Sequence, residues 1–563
     1  MKRFGLILLV AAVAAGGIVY TVRHSQTTPH AAVTALLPKG TIAFAHVPDF
    51  LRTRDEWRDS DIYKLYQEPA VQEFLKPIAS ASRPTATSGE LHEIEQLDPK
   101  DAFLAVTSIE NNNPHFVGGF RFRGKQASVD AIISKWRSHL VHDSSGREMI
   151  EYQTHKIDIV GAAPNQVATV YDGNWFFASN DLAELKGVLD RADDRSKDRQ
   201  STLDADEAFR AALAHMPASY ALLFYLQPKK LSAGISTPAS ADARAALEQL
   251  QSVCGAAKFE KGKIRDVLFV GAPKPSASQE LSRNAIKLGT ADTFLYFGAL
   301  LNPDRMTGLS SSGAVLPLGS WLQKVFDVAT RSGLTADDWK TAFDLEASAL
   351  AEWPQTARLP SIVATLPVKD PTRAFKIADA LTKAIDEDAP WTKSDRDGVR
   401  YYYMQSPVAL VAITPTIAVS NRLTVVGLDS VSVEAAMTRS ESNARSTSTL
   451  ADSPTYKSAT RTVATPTTGF AYIDTALLYS RLDSALRPIL LMSAAFMPAI
   501  SEYVDVAKLP PTEAVTKHLS PIISSTRYEA DGYVTESVGP VTLDLGLALP
   551  VLGWLGVESR TRP

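Results

Sequence analysis

Cysteine is all but absent, since Cys254 is the single one in 563 residues. No intramolecular disulfide can form, and a zinc site built on cysteine pairs is excluded. A lone cysteine in this setting reads as a small buried apolar residue rather than a reactive thiol. Strong charge of either sign is also missing: 58 Lys and Arg face 62 Asp and Glu, for a formal net charge of −4. A mildly acidic body offers no general electrostatic attraction to nucleic acid or anionic lipid. No Walker loop and no dinucleotide fingerprint are visible, so no nucleotide cofactor is expected. With 45% hydrophobic and 21% charged residues the chain has the balance of an ordinary globular protein, which speaks against disorder and against a multi-span membrane protein.

A long apolar run stands at the N-terminus. Lys2 and Arg3 precede an uncharged stretch from Phe4 to Val22, and Arg23 ends it. That length is close to the roughly 20 residues a helix needs to cross a bilayer, and the leading positive charges favour an orientation with the body outside the cytoplasm. Residues 1–25 therefore read as a membrane anchor or signal helix, and 26–36 as a polar tether. Val13-Ala14-Ala15 supplies the small residues a signal peptidase requires, so cleavage is the alternative to a retained anchor.

Beyond the tether, residues 37–275 and 285–548 read as two copies of one unit. Tyr171-Asp172-Gly173-Asn174-Trp175-Phe176-Phe177 matches Val419-Ser420-Asn421-Arg422-Leu423-Thr424-Val425 at an offset of 248: strand, turn, strand, then an Asp at a helix start. Asp-Gly is a strong hairpin signal, and Asp181 with Glu184 three residues on has capping-box spacing. Each copy opens with an apolar strand, 41–47 and 293–299. Each then places a strand before an amphipathic helix: 116–122 ahead of Val129, Ile132, Ile133, Trp136 and Leu140, and 361–366 ahead of Phe375, Ala378, Leu381 and Ile385. Residues 51–75 predict one or two amphipathic helices interrupted near Pro69. A closing hairpin at 257–264 matches 526–533 at an offset near 269, so the second copy carries an insertion. The expected fold class is α+β, with two tandem copies of one antiparallel-sheet-plus-helices unit.

Few residues offer chemistry. His139 and His142 beside Asp143 lack a third metal ligand at a recognised spacing and read as a solvated helix end. Asp386-Glu387-Asp388 with Asp395 and Asp397-Gly398 lacks the ligand order of a calcium loop and reads as polar loop. Gly308 to Gly313 carries Ser312 where a nucleophile elbow needs glycine. No catalytic, cofactor-binding or metal-binding residue is assigned. The apolar insertion, 485–506, has the stronger claim: between Pro488 and Pro498 it has no charge, and it is too short to span a bilayer. It is either a core helix or an exposed surface for lipid or a partner, with Ile489, Leu490, Leu491, Phe496 and Met497 as its contacts. The tail 549–563, with Trp554, carries the same two readings.

The exported N-terminus, the opening Leu37-Pro38-Lys39-Gly40-Thr41, the block Ile362-Val363-Ala364-Thr365-Leu366-Pro367-Val368-Lys369-Asp370-Pro371 and Glu529-Ala530-Asp531-Gly532-Tyr533 together resemble a bacterial exported family defined by a domain of unknown function. The resemblance implies an envelope location and carries no activity or site residues with it. Three readings follow: a membrane-tethered extracytoplasmic binding or scaffold protein, a carrier or sensor of an apolar ligand, and an envelope enzyme whose site no motif reveals. The partners these imply are the membrane, through the N-terminal helix, and an envelope protein or lipid, with no nucleic acid. Fractionation of cells expressing the full chain is expected to recover the body outside the cytoplasm and on the membrane. Cytoplasmic recovery would overturn export, whereas a soluble exported form beginning near Gly16 would overturn only the tether.

Overall fold

A computed structural model describes residues 31–81, 93, 95–110, 112–140, 146–161, 166–193, 199–234, 248–273, 279–301, 333–385, 391–404, 414–441, 449–496 and 505–543. The N-terminal run, the tail and the segment 308–313 lie outside them. Among the described residues no helix is long and apolar enough to cross a membrane.

The fold is α+β, built on one antiparallel sheet of 20 strands. In chain order these are β1 (Ala43–Asp49), β2 (Pro99–Glu110), β3 (Asn113–Phe122), β4 (Arg147–Tyr152), β5 (His155–Val160), β6 (Val167–Asp172), β7 (Trp175–Ser179), β8 (Leu222–Leu226), β9 (Ser252–Glu260) and β10 (Lys263–Gly271). They are followed by β11 (Thr293–Leu300), β12 (Glu346–Glu352), β13 (Ser361–Pro367), β14 (Trp391–Arg396), β15 (Val399–Met404), β16 (Thr416–Val419), β17 (Leu423–Gly427), β18 (Gly469–Ile473), β19 (Ile522–Glu529) and β20 (Gly532–Gly539). From one edge the strands run β4-β5-β6-β7-β3-β2-β1-β8-β9-β10. From the other edge they run β14-β15-β16-β17-β13-β12-β11-β18-β19-β20. The two series meet where β10 pairs antiparallel with β20. The order is therefore the same read inward from either edge.

Local sequence explains the turns. Gly173 takes φ +56 in the β6–β7 turn, and Lys261 and Gly262 take φ +53 and +83 between β9 and β10, as a tight hairpin requires. Asp181 caps the helix Leu182–Ala192, its Oδ1 accepting from Ala183 N at 2.7 Å and Glu184 N at 3.4 Å. Asp429 plays the same part before Ser430–Glu441, accepting from Ser432 N at 2.7 Å. Residues 50–81 form three helices rather than one or two. Ser60 caps Asp61–Gln67, and Pro69 opens Pro69–Ala81, a first-turn position where its missing N–H costs nothing.

The helices that follow β3 and β13 each turn an apolar face to the sheet. Val129 and Ile133 of Gln126–Leu140 bury against Phe120, Phe122 and Phe176. In Pro371–Ile385 the buried residues are Ala374, Ile377 and Ala378, with Phe375 and Leu381 partly buried. That face is rotated from the one the spacing predicts, because Phe375 turns aside to lie 4.8 Å beneath the Arg400 guanidinium. Cys254 is fully buried inside the largest core cluster, and burial raises its thiol pKa.

The seam is tight. Gly271 faces Gly532 across it, and a Cβ on Gly532 would lie 2.4 Å from the Val270 carbonyl oxygen and 2.8 Å from the Phe269 ring. Gly532→Val is expected to destabilise the protein by about 2–3 kcal/mol, the range of overpacking in a filled core, read as a lower urea midpoint. An unchanged midpoint would show that the seam can open without loss.

Candidate functional site

The inserted segment is the distal half of a helix, Thr475–Phe496, that starts directly after β18. Its first three turns are clamped to the body. Leu477, Leu478 and Ala485 pack on Phe294, Ala351 and Trp353. Arg481 donates to Trp353 O at 2.8 Å and to Asp292 Oδ1 at 2.7 Å. Arg487 grips Asp483 at 2.7 and 3.1 Å and reaches the Pro510 carbonyl at 2.6 Å. Arg481 thus spends its charge on the body, and Arg487 spends its charge within the helix.

Beyond Arg487 the helix has no charged residue. Leu482, Leu486 and Ile489 lie four and three residues apart on one stripe and are 37%, 46% and 52% exposed. Leu491 and Met492, on other sides of the same turns, are 48% and 59% exposed, while Leu490 is half-buried. Apolar surface therefore faces solvent around more than half the circumference. Of the contacts expected from sequence, Ile489 and Leu491 are exposed. The Phe496 side chain, Met497 and Trp554 lie outside the described residues.

A second constellation is buried and polar. In β2 the register slips between Lys100 and Phe103, a bulge in which Asp101 takes φ +48. The bulge aims the Asp101 carboxylate at Arg121 on β3, with which it forms a close ion pair, and toward His46 on β1, whose Nε2 lies 3.8 Å away. The other ring nitrogen, Nδ1, lies 2.7 Å from the Tyr220 hydroxyl. His46, Asp101 and Tyr220 are each at most 3% exposed. Burial, with the Asp101 carboxylate nearby, raises the Tyr220 phenol pKa strongly. The Tyr220–His46 hydrogen bond and the Asp101–Arg121 ion pair stand side by side, the 3.8 Å from His46 Nε2 to Asp101 being too long for a hydrogen bond, and together they tie three strands. Their members are scattered between positions 46 and 220, so no local motif announces them.

Elsewhere His155, Asp172 and Asp193 bring one nitrogen and two carboxylate oxygens within 4.8 Å of one another. His155 Nε2 meets Asp193 Oδ2 at 3.0 Å, which joins β5 to the C-cap of Leu182–Ala192 and accounts for the pair. The side chains of His139, His142 and Asp143 and the residues 386–388 lie outside the described residues. Asp395 pairs with Arg400 at 2.8 Å, and Asp397-Gly398 is the β14–β15 turn.

No protein-family model matches the chain, and no curated protein matches it. Among solved structures it is similar to crystal forms IV, I and III of TP0453, at 7%, 8% and 8% identity and TM-scores of 0.24, 0.23 and 0.24. These cover 44–45% of this chain and 80–84% of theirs. So slight a likeness carries no functional statement.

Asp101→Ala would strand His46 and Arg121 without their carboxylate. The expected cost is about 2 kcal/mol, below the usual range for a broken buried pair because Arg121 is itself partly solvated. Thermal unfolding of the variant checks it, and an unshifted transition would contradict the tie among strands.

Proposed function

We propose that the protein is an exported, membrane-tethered binding protein of two tandem, similar α+β units, and that the helix Thr475–Phe496 of the second unit touches lipid. The apolar, charge-free end of that helix, exposed around most of its circumference, carries the reading. A helix meant for a protein groove needs one apolar stripe, whereas one apolar on all sides suits immersion in hydrocarbon. The N-terminal run 4–22 would hold the body near a bilayer, where such an end is usable.

Two units are supported by matching detail as well as by strand order. The isolated bridge Pro38–Thr202 has its equivalent in Thr290–Thr449. Phe209 meets Tyr225 edge-on at 4.9 Å, and Tyr456 meets Tyr472 edge-on at 5.2 Å. Cys254 stands opposite Tyr225, and Ile523 stands opposite Tyr472. The connection after β8 spans 227–251 and that after β18 spans 474–521, so the extra length falls on the apolar helix. The His46 network does not recur: following the paired strands, its positions hold Gly298, Glu346 and Pro367.

A photocrosslinking amino acid replacing Ile489 in the full chain, in native membranes, is expected to give phospholipid adducts. The same probe at Val431, 77% exposed on Ser430–Glu441, is the control and should give none. Adducts to protein alone at position 489 would replace the lipid reading with a protein partner.

A further inference from the structure

An open cavity of about 330 Å³ lies between the 3₁₀ turn Asn284–Leu288 and the segment that follows Pro454–Thr460. Its floor is apolar and aromatic, formed by Ile286, Tyr456, Val463, Pro466 and Phe470. Its rim carries Arg283 and Lys287, and among the described residues no Asp or Glu lines it. Neither cation forms an ion pair with a described residue, in a chain whose acids outnumber its Lys and Arg 62 to 58. Arg283 instead holds its guanidinium 5.0 Å from the Phe470 ring centre, beside Tyr456 in the same lining. Stacked there, the planar fork is fixed in place, with N–H groups left over.

Two carboxylates stand behind the lining. Glu346 is 3% exposed and accepts from Ser282 N and Oγ, both at 2.7 Å. Glu536 is taken by Arg265 and by Ala464 N at 3.2 Å. Both spend acceptor capacity on the body and leave the rim cationic.

We infer that this cavity binds a phosphate ester with an apolar or aromatic body. Two rim cations match a dianionic phosphate in charge, and Asn284 and Thr465 add neutral polar groups at the same rim. The aromatic floor takes the body of the ligand. A phospholipid headgroup and a free organic phosphate share this chemistry. The site is separate from the apolar helix and does not depend on it.

The test uses the full chain in phosphatidylcholine nanodiscs and reads the rate of reductive methylation of Lys287 against Lys76, whose side chain is 70% exposed. Phenyl phosphate is expected to slow modification of Lys287 at least fivefold in a saturable way and to leave Lys76 unchanged. Arg283→Ala should weaken that protection at least tenfold in concentration, and Arg283→Lys should restore part of it. Protection by phosphatidic acid built into the disc, without phenyl phosphate, assigns the site to a lipid headgroup; protection by phenyl phosphate alone assigns it to a free organic phosphate. Inorganic phosphate protecting as well as phenyl phosphate overturns the role of the aromatic floor. No protection by any of the three, or equal protection in Arg283→Ala, overturns the site.

Discussion

The pairing of β10 with β20 is the constraint on which the rest of the sheet depends. Eight residue pairs, from Ile264 with Gly539 to Gly271 with Gly532, turn two ten-strand series into one continuous sheet. In the middle of this ladder Ser537 Oγ donates to Asp266 Oδ1, and both residues are fully buried. A buried carboxylate is costly unless it is hydrogen-bonded. A slip by one residue would set Asp266 against Val538 or Glu536 and turn every side chain to the other face. The polar pair therefore selects a single register for an otherwise permissive ladder.

Charge reinforces the same seam from outside the ladder. Arg265 bonds Glu260 on its own strand pair, Glu536 across the seam and the Thr462 carbonyl at 2.9 Å. His215 lies flat on Phe269, ring centres 4.4 Å apart, with Glu529 and Asp531 each 2.9 Å from one of its nitrogens. Lys508 reaches Glu73, and Lys517 and His518 reach Glu68, so the connection after the long helix is also fastened to helices early in the chain. Exposed pairs contribute little one by one, but here they are arrayed along one line of contact. That line joins residues far apart in sequence.

Much of this architecture was legible where local chemistry dictates local shape. The Gly173 turn, the capping aspartates 181 and 429, the aromatic run of β7 and the β-branched run of β17 each state their conformation within a few residues. Strands β2, β4, β5, β12, β14 and β15 were not read from the sequence, for physical reasons. In β2 the bulge at Asp101 breaks the alternation, and β12, Glu-Ala-Ser-Ala-Leu-Ala-Glu, has the composition of a helix and is a strand only because β11 and β13 flank it. The edge strands β4 and β14 carry charged and exposed residues that protect an open edge and hide the apolar signal. The apolar helix was legible as a segment without charge, but not its start at Thr475. The cavity was invisible, since Arg283, Lys287 and Phe470 become neighbours only after the sheet has formed.

The inward-reading order of strands also dictates how the protein can be taken apart. Strands β10 and β20 are the innermost of their series, and each has its only partner from the other series across the seam. A cut between residues 273 and 279 would therefore leave two fragments with complementary, unsatisfied ladders. Such fragments would behave less like independent domains than like the two parts of a split reporter, each silent until it meets its counterpart.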